Sequence, residues 1–195
     1  MKLAISQPTF LPWCGYIGLI DYVDNFVFLD DVQFDKRSWQ QRNYIKLNDN
    51  KHLITVPIKS KNKRFQKINE AEIDHDTNFI EQHKKKIFYS YSKSKFYDQY
   101  SKDIFKIYDK KHKKILDFNV DMITYFCECL DIQTKFEFSS NMTTKEKKKD
   151  LILEISLLMK CNEYISTLGS KSYLKNEEKF KDNKIDLYFY NYQNI

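Results

Sequence analysis

Residues 6–43 read SQPTFLPWCGYIGLIDYVDNFVFLDDVQFDKRSWQQRN and contain most of the residues that restrict or free the backbone. The protein has 195 residues but only three Gly, three Pro and two Trp. Most of these lie inside the window, at Pro8, Pro12, Trp13, Gly15, Gly18 and Trp39. Because Pro fixes the backbone and Gly frees it, their concentration predicts an unusual chain path here.

This window and the residues before it predict a strand, a turn, a helix and a second strand. The first strand is Lys2–Gln7, the turn lies between Pro8 and Pro12, the helix begins at Gly15, and the second strand is Phe26–Leu29. The second strand is continuously apolar, as expected of a strand that is buried on both faces. A strand–helix–strand unit of this kind pairs its strands in parallel. We therefore predict an α/β fold with a mainly parallel, nucleotide-binding-like sheet.

The rest of the chain predicts further strands and a helical region in the second half. A hairpin is predicted over Gln40–Leu47 and His52–Ile58, another strand over Ile68–Ile73, and helices from Asn78 to Leu130, at about 78–131. We interpret residues 1–195 as a single domain. Later strands are predicted at Phe136–Phe138, Ile165–Thr167 and Leu187–Tyr190, with an amphipathic helix over Leu151–Met159.

The composition argues against several classes of protein. The net charge is +6, but there are only three Arg, and the lysine runs are typical of solvated helix faces, so we expect no nucleic-acid partner. No apolar run approaches the roughly 20 residues of a transmembrane helix, and no signal peptide precedes the first strand, so we expect a cytoplasmic protein without membrane insertion. The four Cys lack metal-ligand spacing, and no metal site is expected. Cys14 remains an alternative nucleophile, because it lies at a predicted helix start.

The first candidate site follows the two predicted strands. Gln7–Trp13 and Asp30–Trp39 should lie at the carboxyl edge of the sheet and line one crevice. Acids, bases and an indole so close together suit a phosphorylated, amine-bearing ligand, because Arg binds phosphate and Asp holds or deprotonates an ammonium. We expect Asp31 to face the crevice as a base and Asp30 to brace the loop after the first strand, since successive strand residues point to opposite sides. The set comprises Gln7, Asp30, Asp31, Lys36, Arg37, Arg42 and Asn43, with Trp13 and Trp39 as stacking surfaces or core residues.

The second candidate site is Ser166–Tyr173, where a strand, a glycine turn and a run of Ser and Lys follow one another. Such a turn presents backbone N–H groups to a phosphate, and the candidate phosphate-binding residues are Ser166, Gly169, Ser170 and Lys171. The spacing of a Walker loop is absent. The alternative interpretation is a helix whose first turn is capped by Ser170.

His83 lies on one predicted helical face with Ile80 and Ile87. This position favours a core or interface histidine that is held by a hydrogen bond. The other interpretation is a histidine that contacts substrate.

Three blocks resemble the signature of a known family: QPxFLPWxGY (7–16), VFLDDVQF (27–34) and KRSWQxRN (36–43). LITVPI (53–58), ISTLGSKSYL (165–174) and the helical His83 extend the match along nearly the whole chain. On these motifs the chain resembles the WbqC-like family, which is found in bacterial surface-polysaccharide gene clusters. Ser6 stands where the family usually has His, and the chain is expected to be shorter at its C-terminus than the family pattern.

The resemblance implies a transferase of O-antigen or lipopolysaccharide biosynthesis that acts on a nucleotide-linked amino sugar. The implied reaction puts an acyl or aminoacyl group, such as glycyl, on the amine, with ATP or an activated acyl donor as the candidate co-reactant. Asp31, Asp30 and His83 are the implied catalytic residues. The implied substrate-binding residues are Gln7, Pro8, Trp13, Tyr16, Lys36, Arg37, Trp39, Arg42 and Asn43.

Two alternatives stay open beside that reaction. The two candidate sites together loosely resemble the adenylyl-transferring nucleotide-binding proteins, which favours a nucleotidyltransferase, although the His-x-x-His signature is absent. The other alternative is a non-catalytic protein that binds nucleotide sugars.

Overall fold

The computed structural model describes residues 1–47, 50–146, 149–171 and 177–192. The strands are β1 (Lys2–Ser6), β2 (Asn25–Phe28), β3 (Arg42–Leu47), β4 (Asn50–Thr55), β5 (Lys135–Phe138), β6 (Glu163–Thr167) and β7 (Asp186–Tyr190). The helices are α1 (Cys14–Asp21), α2 (Phe79–Tyr91), α3 (Tyr97–Asp109), α4 (Ile115–Cys129), α5 (Lys149–Leu158) and α6 (Glu177–Asp182).

The chain forms two compact units. The sheet unit comprises residues 1–7, 13–30 and 127–195, and the helical unit comprises residues 8–12 and 31–126. The chain passes from one unit to the other between Gln7 and Pro8, at Pro12–Trp13, between Asp30 and Asp31, and within α4.

The sheet unit is built on five parallel strands in the order β5-β2-β1-β6-β7. The predicted pairing of the first two strands is confirmed, with Leu3 opposite Asn25 and Ser6 opposite Phe28. The inner residues of both strands are buried, because helices cover both faces of a parallel sheet and each strand must then be apolar throughout. The mixed α/β class with a mainly parallel sheet is therefore confirmed.

The strand order reverses at β1. The chain first extends the sheet on one side of β1 through β2 and β5, and then returns to the other side through β6 and β7. A reversal of this kind leaves an opening outside the carboxyl ends of the two strands where the order changes. In this sheet those strands are β1 and β6, which pair at Lys2–Glu163 and Leu3–Tyr164.

The helical unit contains the antiparallel hairpin β3–β4, which pairs Arg42 with Thr55 and Leu47 with Asn50, together with α2, α3 and most of α4. The predicted helical region resolves into α2, α3 and α4. The side chains buried in this unit include Phe10, Ile54, Tyr108, Ile115, Phe118 and Met122.

The predicted strand over Ile68–Ile73 is wrong. Ile68–Glu70 is a short 3-10 helix, and within the predicted range only Glu72 and Ile73 make isolated bridges. The Glu70 carboxylate accepts a hydrogen bond from the Lys67 backbone N–H at 2.9 Å, which closes the turn and removes that N–H from any strand ladder.

None of the helices in the described residues is both long enough and apolar enough to cross a membrane.

Candidate functional sites

In the sheet unit, several predicted site residues lie where the parallel strands end. Gln7 follows β1, Asp30 follows β2 by two residues, and the Leu168–Ser170 turn follows β6 directly. The structure thus brings parts of both predicted sites to the same edge of one sheet, because all of these strands run in the same direction.

Asp30 is fully buried at this edge, and its carboxylate accepts several hydrogen bonds. Oδ1 accepts from the Ser139 hydroxyl at 3.1 Å and from the Ser140 N–H at 2.9 Å, and Oδ2 accepts from the Ser140 hydroxyl at 2.7 Å. The Asp30 N–H in turn donates to the Ser139 hydroxyl at 3.1 Å. These contacts tie the end of β2 to the turn after β5, so Asp30 serves as a structural anchor.

Trp13 precedes α1 and is 48% exposed. Its indole covers Gly15, where an added Cβ would overlap the ring, and this overlap explains why glycine stands at that position. Tyr192 packs edge-on against the indole with ring centroids 4.6 Å apart. Trp13 is therefore a partly covered ring at the beginning of α1 that keeps about half of its surface in solvent.

Tyr16 is buried one turn into α1, and its hydroxyl donates to the Gln7 carbonyl at 3.0 Å. Burial raises the pKa of Tyr16 well above its ordinary value, so the phenol stays protonated. This side chain supports the backbone after β1.

The Ser166–Lys171 segment forms a closed turn. The Ser170 hydroxyl donates to the Thr167 carbonyl at 2.6 Å and lies 2.6 Å from the Ser166 hydroxyl, and both serines are buried. Gly169 and Lys171 are exposed, and the Lys171 ammonium lies 5.7 Å from the centre of the Phe189 ring. The two hydroxyls therefore shape the turn, and Lys171 is its outward-facing charge. The predicted helix start after Lys171 lies outside the described residues.

In the helical unit, the loop Asp35–Gln41 is held rigidly by its own side chains. The Gln40 amide oxygen accepts from the Asp35 N–H at 3.0 Å, and the Gln41 amide oxygen accepts from the Arg37 N–H at 3.2 Å. Both glutamines are buried. Arg37 has a left-handed backbone with φ of 63°, which the surrounding hydrogen bonds stabilise.

This braced loop presents two cations and an aromatic ring. Lys36 and Arg37 are exposed, and Trp39 is 54% exposed with its ring 6.0 Å from that of Tyr44. Trp39 is thus a surface residue, and a stacking role is compatible with its position. Arg42 begins β3 and is half-buried, as is Asp31.

A second loop of the helical unit, Pro8–Pro12, is held by two amide side chains. The Asn43 Nδ2 donates to the carbonyls of Phe10 and Leu11 at 3.2 and 2.7 Å, and the Asn119 Nδ2 donates to those of Pro8 and Gln40 at 3.4 and 2.8 Å. The Asn43 amide oxygen also accepts from the Tyr44 N–H at 2.8 Å. Pro8 itself is buried.

His83 is buried, and its imidazole packs against the rings of Phe10, Phe79 and Tyr108. Its Nδ1 lies 3.2 Å from the Tyr108 hydroxyl. The pKa of His83 is lowered from 6.5 to about 4, mainly by burial and also by the nearby Lys86, while a hydrogen bond to the Thr55 backbone acts in the opposite direction. These contacts fit a neutral core histidine.

Asn119, Ser139 and Ser140 are residues that sequence reasoning missed. Asn119 stands inside the apolar stripe of α4 and is fully buried, and an amide at such a position is the signal that could have identified it. The two serines follow a short strand and give no comparable signal.

Cys14 is exposed at the start of α1, and Cys127 and Cys161 are buried free thiols. Across the described ranges, no group of three or more His, Cys, Asp or Glu side chains is placed to hold a metal ion.

Comparison with known proteins gives one family and one curated relative. The model of the WbqC-like protein family matches residues 7–195. A protein of Mycobacterium tuberculosis (strain ATCC 25618 / H37Rv), named "Uncharacterized protein Rv1507c", is 30% identical over 192 residues, which cover 98% of this chain and 82% of that protein. No solved structure matches.

Proposed function

The chain belongs to the WbqC-like protein family, and from that premise we propose that it is an enzyme of bacterial surface-polysaccharide biosynthesis. The proposed substrate is a nucleotide-linked amino sugar, and the proposed reaction transfers an acyl or aminoacyl group, such as glycyl, to the sugar amine. We expect the reaction to take place in the cytoplasm. The observation that carries the proposal is the reversal of strand order at β1, which puts the ends of β1 and β6 beside each other.

The nucleoside diphosphate part of such a substrate would suit the carboxyl edge of the sheet at β1 and β6. Open parallel sheets bind nucleotides where the strand order reverses, with phosphate near a helix N-terminus. Here α1 begins at Cys14, has no acidic residue in its first turn, and follows a half-exposed indole at Trp13. Lys171 adds an exposed ammonium after β6, where charge-assisted contacts to phosphate oxygens would form.

The transfer step needs a base, because an ammonium must lose a proton before its nitrogen can attack. The amine nitrogen forms a bond to the acyl carbon, the bond to the donor's leaving group breaks, and the leaving group keeps that electron pair. Asp31 is the proposed base, since Asp30 is held by Ser139 and Ser140 and His83 is buried.

The proposed function is tested by incubation with dTDP- and UDP-linked amino sugars, glycine and ATP, followed by mass spectrometry. A sugar nucleotide that gains a glycyl group supports the proposal, and other acyl donors are tested in the same way. Pyrophosphate release with transfer of a nucleotidyl group would replace the proposal with a nucleotidyltransferase. Failure to modify or bind any of these amino sugars would overturn it.

A non-catalytic nucleotide-sugar-binding protein is the second candidate. It is favoured by the structural contacts of Asp30 and His83, which are two of the three implied catalytic residues. Asp31→Asn separates the two candidates. If Asp31 is the base, this variant binds the sugar nucleotide normally and loses turnover by about 10²–10⁴-fold.

The phosphate contact is tested separately with Lys171→Ala. Binding of the sugar nucleotide, measured by titration calorimetry, should weaken by about 1–3 kcal/mol with little change in melting temperature. Lys181→Ala is the matched control, because Lys181 is an exposed lysine of α6 in the same unit. Equal weakening by both substitutions would mean that Lys171 acts only through general charge.

A further inference from the structure

Residues 84–97 have an unusual composition. They comprise the second half of α2, the connection to α3 and the first residue of α3. This α2–α3 patch contains five Lys and five aromatic residues but neither Asp nor Glu. The lysines are Lys84, Lys85, Lys86, Lys93 and Lys95, and the aromatic residues are Phe88, Tyr89, Tyr91, Phe96 and Tyr97.

Three of these rings lie mostly in solvent. Phe88 is 51% exposed, Tyr89 is 71% exposed and Phe96 is 55% exposed. The face of α2 that packs on the protein instead carries His83 and Ile87, which are buried. Since α2 already packs on the protein through that buried face, the exposed rings are not needed for packing α2.

Two of the exposed rings, those of Phe88 and Tyr89, lie side by side. The Phe88 ring lies 5.7 Å from the Tyr89 ring and 6.1 Å from the Tyr97 ring, measured between centroids. Contiguous exposed apolar area of this kind marks an interaction site more often than single exposed side chains do.

The positive charges of the patch are largely left without acidic partners. Lys84 pairs with Asp109, but the ion pairs found among the described residues include none of Lys85, Lys86, Lys93 and Lys95. The lysine run at 110–114 differs, because Lys110 pairs with Asp121 and Lys113 with Glu72. The Lys95 ammonium also lies 5.0 Å from the centre of the Phe96 ring, which places cation and ring together.

We propose that the α2–α3 patch docks the protein on a membrane surface that contains anionic phospholipid. Aromatic side chains flanked by lysines are the combination that binds the interface, with rings at the boundary of headgroups and acyl chains and ammonium groups among the phosphates. Nucleic acid is a poorer fit, because the patch has no Arg to stack on bases or fork onto phosphate. The protein would bind the membrane surface without inserting a helix. This proposal rests on the α2–α3 patch and is independent of the proposed reaction.

The test is cosedimentation of the whole protein with vesicles of phosphatidylcholine, with and without about a quarter phosphatidylglycerol. We expect binding to the anionic vesicles that weakens as salt is raised. The variant Lys85→Gln/Lys93→Gln/Lys95→Gln should bind about a hundredfold more weakly, since each of the three lysines contributes about fivefold near such a surface. Phe88→Ser/Phe96→Ser should lose about tenfold even where the charges are intact.

A matched control separates this patch from general surface charge. Lys61→Gln/Phe65→Ser removes an exposed lysine and a 76% exposed ring from another loop of the same unit. Binding should be unchanged in this variant, and all variants should keep the melting temperature of the parent protein. Absence of binding to anionic vesicles, or equal loss in the control, would overturn the proposal. Tighter binding to a single-stranded oligonucleotide that is lost in the same patch variants would replace the lipid with nucleic acid.

Discussion

In the sheet unit a carboxylate holds an irregular turn, whereas in the helical unit side-chain amides hold an irregular loop. Asp30 accepts hydrogen bonds from the hydroxyls of Ser139 and Ser140 and from the Ser140 N–H. Asn43 and Asn119 donate to the carbonyls of the Pro8–Pro12 loop. The difference follows from what each segment lacks.

A loop that contains two prolines has two fewer N–H donors than carbonyl acceptors, so it needs donors from elsewhere, and Asn supplies them. The turn at Ser139 and Ser140 offers hydroxyl and N–H donors, so it needs an acceptor, and a carboxylate supplies that. Polar residues that resemble site residues in the sequence can therefore be braces. In both units the side chains that are exposed and can therefore contact a ligand include Lys171, Lys36 and Trp39.

The largest effect is expected from removing the carboxylate brace. Asp30→Ala should lower the free energy of unfolding by about 4 kcal/mol, because it breaks several charge-assisted hydrogen bonds and leaves buried donors without a partner. Urea denaturation measures the loss. Asp182→Ala, which removes an exposed carboxylate of α6 in the same unit, is the control and should cost less than about 1 kcal/mol. A similar loss in both variants would contradict the assignment of Asp30 as the brace.

The next effect concerns the helical unit and depends on pH. The pKa of His83 is lowered from 6.5 to about 4 in the folded protein, while the unfolded chain keeps the ordinary value. Between these two pH values the unfolded state binds a proton that the native state does not, so stability falls as the pH drops from 6.5 to about 4. The histidine contributes about 3 kcal/mol to that fall.

Urea denaturation of the parent protein and of His83→Gln across this pH range isolates the contribution. The variant should lose stability less steeply on acidification, whereas His75→Gln, at an exposed position, should follow the parent protein. Identical pH profiles for the parent and His83→Gln would show that the imidazole is not held neutral.

A smaller effect is expected from removing one amide brace. Asn119→Ala should cost about 2 kcal/mol, since the fully buried Asn119 amide no longer donates to the carbonyls of Pro8 and Gln40. Asn183→Ala removes an amide-to-carbonyl hydrogen bond of the same kind at an exposed position and should cost under about 0.5 kcal/mol. Comparable costs in chemical denaturation would remove the distinction between buried and exposed amides.

The smallest effect on stability is expected at the exposed groups. Trp39→Ala should lower the free energy of unfolding by less than about 1 kcal/mol, because its half-exposed ring packs against Tyr44, which is itself about half exposed. Thermal unfolding checks this value. A loss above about 2 kcal/mol would place Trp39 among the braces and remove it from the candidate binding surface.

Much of the architecture was predictable from the local pattern of side chains. The continuous apolar run before Asp30 and the strand–helix–strand pattern predicted two neighbouring parallel strands, and the structure confirms both. The spacing of apolar residues also predicted the helical second half. The segment Ile68–Ile73 was mispredicted, because its pattern suits a strand while the Glu70 carboxylate closes a local turn.

The sequence by itself determined the fold class and the family, because hydrophobic periodicity, the positions of Pro and Gly and the motifs around them are local properties. Only the tertiary structure decided which polar side chains are anchors and which face solvent. The partners of Asp30 lie 109 and 110 residues away in the chain, and those of Asn119 lie 79 and 111 residues away. A hydrogen bond between residues so distant depends on how the chain folds back on itself, and no local pattern records that.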